Sequence, residues 1–94
     1  MIKDGLLNRI FNGNSLQTML KLKLIWDFHG PNAFKTAQHH EIHLKEYIQI
    51  KKLDITITGT EHLSEMHAIA FLVIEEELMK PVRDALKPHR GQIY

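Results

Sequence analysis

From Leu20 to Phe28 the chain alternates without a break. Leu20, Leu22, Leu24, Trp26 and Phe28 fall on one side, and Lys21, Lys23, Ile25 and Asp27 on the other. Successive side chains of a strand point to opposite faces, so this period of two specifies a strand over Met19–Phe28 with one buried face. Five large apolar side chains in a row need cover. In a chain of 94 residues, enough for one domain and not two, helices of the same domain must supply most of it.

The rest of the chain supplies such helices. Gly30-Pro31 breaks the strand, and Pro31 suits the first position of a helix. Ala33, Phe34, Ala37, Leu44, Tyr47 and Ile48 then recur at helical spacing to about Ile50. Leu53–Thr60, rich in isoleucine and threonine, predicts a second strand, and Leu63-Ser64-Glu65 a turn. Met66–Ile74 is apolar on both faces and predicts a third strand at the centre of a sheet. Ser64 could instead cap a long helix through Ala68, Leu72 and Leu78, but the unbroken run Phe71-Leu72-Val73-Ile74 favours the strand. Leu78, Val82, Ala85 and Leu86 mark a last helix that starts near Leu78, with Pro81 in its first turn and Pro88 at its end. Gly91–Tyr94 can add an edge strand.

This order predicts an α+β fold, a ferredoxin-like βαββαβ sandwich with an antiparallel sheet and two helices on one face. A short amphipathic helix precedes it, with Ile2, Leu6, Leu7, Ile10 and Phe11 on one side and Asn12-Gly13-Asn14 as its stop. The chain is expected to be a single domain over residues 1–94, with 1–14 the N-terminal helix and turn and 15–94 the sandwich. The third strand cannot hide both faces under helices. Either Ile69, Phe71 and Val73 or Ala68, Ala70 and Leu72 lie on the open side, and an apolar face of that kind predicts self-association, as a homodimer.

Composition excludes several functions. Without cysteine there is no disulfide, thiolate metal site or cysteine nucleophile. Twelve basic residues against eleven acidic ones leave a net charge of +1, which argues against duplex DNA or an anionic membrane as partner. No apolar run spans a bilayer and no secretory signal opens the chain, so a soluble, cytoplasmic protein is expected. The glycines are too scattered for a phosphate loop, and neither Ser15 nor Ser64 sits in a nucleophile setting. RNA binding of the sheet type needs aromatics where the first strand offers Lys21, Lys23, Ile25 and Asp27. Glu75-Glu76-Glu77 reads as favourable charge at a helix N-terminus.

The unusual feature is seven histidines. On the central helix His39 and His43 stand one turn apart opposite the apolar stripe, with Glu46 beyond them. Such a pair can chelate a surface metal, although His40-Glu41-Ile42-His43 is one residue short of a zinc-protease motif. His40, on the flank of the stripe, is expected to be half-buried and hydrogen-bonded. The predicted topology gathers His29, His62, His67 and His89 at one rim of the sheet, with Asp27, Glu61 and Glu65 near them. That rim could hold a divalent metal such as zinc, or a small ligand. The reading this favours is a small binding or regulatory module. The alternatives are a cofactor-free enzyme, with His29 or His67 as base and Asp27 orienting it, or an interaction subunit with no site of its own.

Overall fold

The computed structural model describes residues 20–94. The helix and turn expected over residues 1–14 lie outside the described residues. The elements are β1 (Lys21–His29), α1 (Ala33–Lys51), β2 (Ile57–Ser64), β3 (His67–Glu75), α2 (Met79–Leu86), which follows a 3-10 turn at Glu76–Leu78, and β4 (Arg90–Ile93). The strands form one antiparallel sheet in the order β2-β3-β1-β4. The fold is α+β. No helix among the described residues is long and apolar enough to cross a membrane.

Met66–Ile74 was the segment open to two readings, and His67–Glu75 is a strand. It pairs with β1 along its whole length, from His29 opposite His67 to Lys21 opposite Glu75. On its other side it pairs with β2, from Ile57 opposite Val73 to a bulge between His62 and Ser64. Both faces are buried, as a central strand requires. The even-numbered residues Ala68, Ala70, Leu72 and Ile74 join Leu24 and Trp26 of β1 in a core with Ala33, Ala37 and Leu44 of α1 and Val82 of α2. Both helices therefore cover the same face. Ile69, Phe71 and Val73 point to the other, with Ile25 of β1 and Ile57 of β2 beside them.

On that open face Phe71 lies across its neighbour strand. A Cβ added to Gly59 would stand 2.7 Å from Phe71 Cζ, so any larger residue there would push the ring from this position. The Lys23 ammonium sits 4.3 Å from the centroid of that ring and 3.5 Å from Glu61. Aliphatic stem, aromatic ring and carboxylate thus roof part of the apolar surface.

Three boundaries differ from the sequence expectation. The second strand begins at Ile57 rather than Leu53 and runs on to Ser64, so the hairpin turns at Glu65-Met66. Leu53–Thr56 is a connector from which Ile55 enters the core, which is why it looks strand-like in sequence. α1 begins at Ala33, after a turn through Pro31 and Asn32, and not at Pro31 itself. The helix ends explain the first shift: α1 stops at Lys52 and α2 at Lys87, each in the left-handed conformation (φ 55° and 54°). The Lys52 amide donates to Gln49 and Ile48, and the Leu53 amide donates to Ile48, which satisfies the last turn. A lysine gives no stop signal in sequence, where glycine would.

Left-handed backbone costs a residue with a Cβ about 1 kcal/mol. Lys52→Gly and Lys87→Gly are each expected to stabilise the protein by about 0.5–1 kcal/mol. Urea unfolding should show this as a higher midpoint at unchanged slope.

Candidate functional site

Register decides which histidines meet. Asp27 lies on the open face of β1, opposite Ile69, and β3 places His67 one diagonal step away. Asp27 Oδ1 is 2.8 Å from His67 Nε2. From the other side Arg90, at the start of β4, donates through Nε to Oδ2 at 2.8 Å and through Nη2 to Oδ1 at 3.1 Å. One carboxylate on the inner strand thus ties β1 to both of its neighbours. The two-pronged guanidinium contact, aided by the His67 hydrogen bond, holds the Asp27 carboxyl well below the usual carboxylate range against the opposing effect of burial.

His29 lies opposite His67, and the two imidazoles stack with centroids 4.3 Å apart and 13° between planes. Gly30 closes this end of the pair by donating its amide to the Met66 carbonyl at 2.8 Å, at a φ of 110° that favours glycine. His89 contributes from behind: its Nδ1 accepts the Asp27 backbone amide at 2.8 Å, and its own amide donates to Ile25. Accepting that bond fixes the tautomer when His89 is neutral, with the proton on Nε2.

Of the rim histidines expected from sequence, His29 and His67 stand together beside Asp27, and His89 braces that residue's backbone. His62 does not join them. It pairs with Ala68 on the helix-covered side of the sheet, and its ring stacks on Phe34 of α1 with centroids 4.7 Å apart. The parity of β2 decides this: Glu61 faces Lys23 on the open side, and so its neighbour His62 cannot. Arg90 is the member of the site that the sequence reading missed. Its signal was register alone, since the fourth strand sets it opposite Ile25, one diagonal from Asp27.

The second histidine pair is where it was expected. On the exposed face of α1, His43 Nε2 lies 3.2 Å from His39 Nε2, and His43 Nδ1 lies 3.3 Å from Glu46. Glu46 therefore meets the far nitrogen of His43 and adds no third ligand to the pair. Among the described residues, no three histidine, aspartate or glutamate side chains converge as a metal centre needs.

His40 is half-buried between Trp26 and Phe28, with ring centroids 5.0 Å and 5.4 Å away. Its buried Nε2 has no hydrogen-bond partner among the described residues. Burial, reinforced by nearby His43 and His89, lowers its pKa from the ordinary imidazole value. Trp26, by contrast, satisfies its indole N–H on the Leu86 carbonyl at 2.9 Å.

No known protein family, curated protein or solved structure matches the chain.

Two outcomes follow from this geometry. Asp27→Asn leaves Arg90 and His67 facing a neutral amide and should cost about 1–3 kcal/mol at neutral pH, measured by denaturant unfolding. The loss should shrink below about pH 4, where the unfolded chain's aspartate is protonated and the native carboxylate's advantage fades. For His40 the sign comes from the unfolded state, which takes up a proton near pH 6.5 while the folded state resists it. Stability should fall as pH drops below about 6.5, and His40→Leu should flatten that fall. Equal slopes for the two proteins in thermal melts would contradict this.

Proposed function

We propose that the chain is a ferredoxin-like binding module whose site is the rim formed by Asp27, His67, His29 and Arg90. The observation that carries this reading is the carboxylate held at 2.8 Å by both Arg90 and His67, with a second imidazole stacked against His67. Asp27 spends its charge on Arg90, so it sets the orientation of the surrounding donors rather than repelling an anion. His67 offers its second ring nitrogen, Nδ1, which has no hydrogen bond to any described residue. His29 offers an exposed ring, and the Arg90 side chain is 47% exposed beside them. Imidazole and guanidinium donors side by side suit a small ligand bearing a carboxylate or phosphate.

Two of the wider sequence expectations do not enter this reading. A zinc centre needs three or four converging ligands, and the rim supplies two imidazoles beside a carboxylate already committed to arginine. General-base catalysis by His67 needs a pocket to hold a substrate at that nitrogen. A groove of about 480 Å³ between α2 and β4 is lined by His89 and Arg90 but not by His29 or His67, and one of about 390 Å³ beside α1 and β2 touches none of the rim residues.

The test is a titration of tag-free protein with inorganic phosphate and with acetate near pH 6.5, followed by NMR at each imidazole. Saturable shifts at His29 and His67, absent at His39, His43 and His62 and weakened at least about tenfold by Arg90→Gln, are expected. Equal, unsaturated shifts at all the histidines would overturn the reading. Stoichiometric zinc binding at His29 and His67 would replace it with a metal site.

A further inference from the structure

The solvent face of α1 carries a group of side chains that the rim reading does not use. His39, His43 and Glu46 are all exposed there, and His43 stands between the other two. Its Nδ1 lies 3.3 Å from Glu46 Oε1, and its Nε2 lies 3.2 Å from His39 Nε2. An ionised carboxylate only accepts hydrogen bonds, so the proton of the Glu46 contact sits on His43 Nδ1. In neutral His43 the lone pair is then on Nε2, the nitrogen that faces His39. The His39 Nε2–H donates into that lone pair.

The same two nitrogens are spaced for a metal ion. Two nitrogens each about 2.0–2.1 Å from one zinc at the tetrahedral angle stand about 3.3 Å apart. The ring centroids are 4.7 Å apart, where two imidazoles radiating from one zinc would set them about 5 Å apart. A shift of a few tenths of an ångström in two exposed rings closes that difference. Coordination requires His39 to carry its proton on Nδ1 instead of Nε2, a change of tautomer with no net release of protons. Glu46 is no third ligand, but it is the partner that a ligating histidine needs. A metal-bound imidazole almost always donates its other N–H, and a carboxylate acceptor fixes the ring and raises its basicity. The helix supplies the rigidity, since α1 is anchored on the sheet through Ala33, Ala37 and Leu44.

We propose that His39 and His43 form a two-nitrogen chelate for zinc or a divalent metal of like preference, with Glu46 as the positioning residue of His43. Imidazole nitrogens suit zinc, nickel and copper(II), whereas calcium and magnesium take oxygen ligands. With two protein ligands the other coordination positions are left to water, so this is an exchangeable surface site and not a closed structural centre. It lies on the helix face turned away from the sheet and does not depend on the anion reading of the rim.

The test is a titration of full-length, tag-free protein with zinc chloride, followed at each imidazole by long-range proton–nitrogen NMR. His39 and His43 are expected to shift together along one saturation curve that ends at one zinc per chain. His39→Ala and His43→Ala should each weaken binding at least about tenfold, because a single imidazole cannot chelate. Glu46→Ala removes no ligand, yet should weaken binding by about tenfold and release His43 of the metal-free protein from its Nδ1–H tautomer. Shifts confined to one of the pair, or a single-histidine variant that binds within about twofold of the parent, would overturn the chelate. So would zinc binding only at His29 and His67, or no saturable shift up to about 1 mM zinc. An unchanged tautomer and affinity in Glu46→Ala would overturn the role given to Glu46.

Discussion

Everything in this fold depends on β3 being buried on both faces. A strand whose even and odd residues are both apolar must lie between neighbours and under cover on each side. The two sides are built differently. Towards the helices it presents Ala68 and Ala70, both 0% exposed, which let α1 approach closely through Ala33 and Ala37. Away from them it presents Ile69, Phe71 and Val73, wide and branched. Pairing with β1 from end to end then fixes the register for the whole sheet.

The polar rim is a product of that register. Because side chains alternate, a slip of one residue between β1 and β3 would exchange the faces and separate Asp27 from His67. In the register observed, Asp27, His67 and His29 share the open face, and Arg90 reaches the same carboxylate from the edge strand. The site is thus stabilised by the core it borders. In return, the charged cross-strand contacts anchor β4, which is four residues long and exposed throughout.

The elements with strict periodicity were legible in the sequence, and so were the histidines that alternation alone could assign. The strand around Leu24 and Trp26, the helix through Ala37 and Leu44, and the two-faced third strand all follow from spacing. The start of the second strand does not. Ile55 is buried without belonging to a ladder, and Lys52 ends a helix by a left-handed turn that lysine does not announce. His62 was grouped with His67 because a hairpin brings both to one end of the sheet. Parity and a bulge, set only when β2 and β3 pair, send it to the other face. Arg90 was missed for the same reason, since only pairing brings residues 63 positions apart into contact. His40 shows the limit of a third kind: its place beside the apolar stripe was readable, but that its Nε2 meets no partner among the described residues is a matter of packing geometry.

The most direct test of the two-faced central strand is native-state hydrogen exchange along the sheet. Amides of β3 from Ala68 to Ile74, and those of β1 paired with them, should exchange only through global unfolding, with β4 opening at much lower free energy. Protection in β3 no greater than in β4 would contradict the account, because a strand covered on both faces cannot open before its edge.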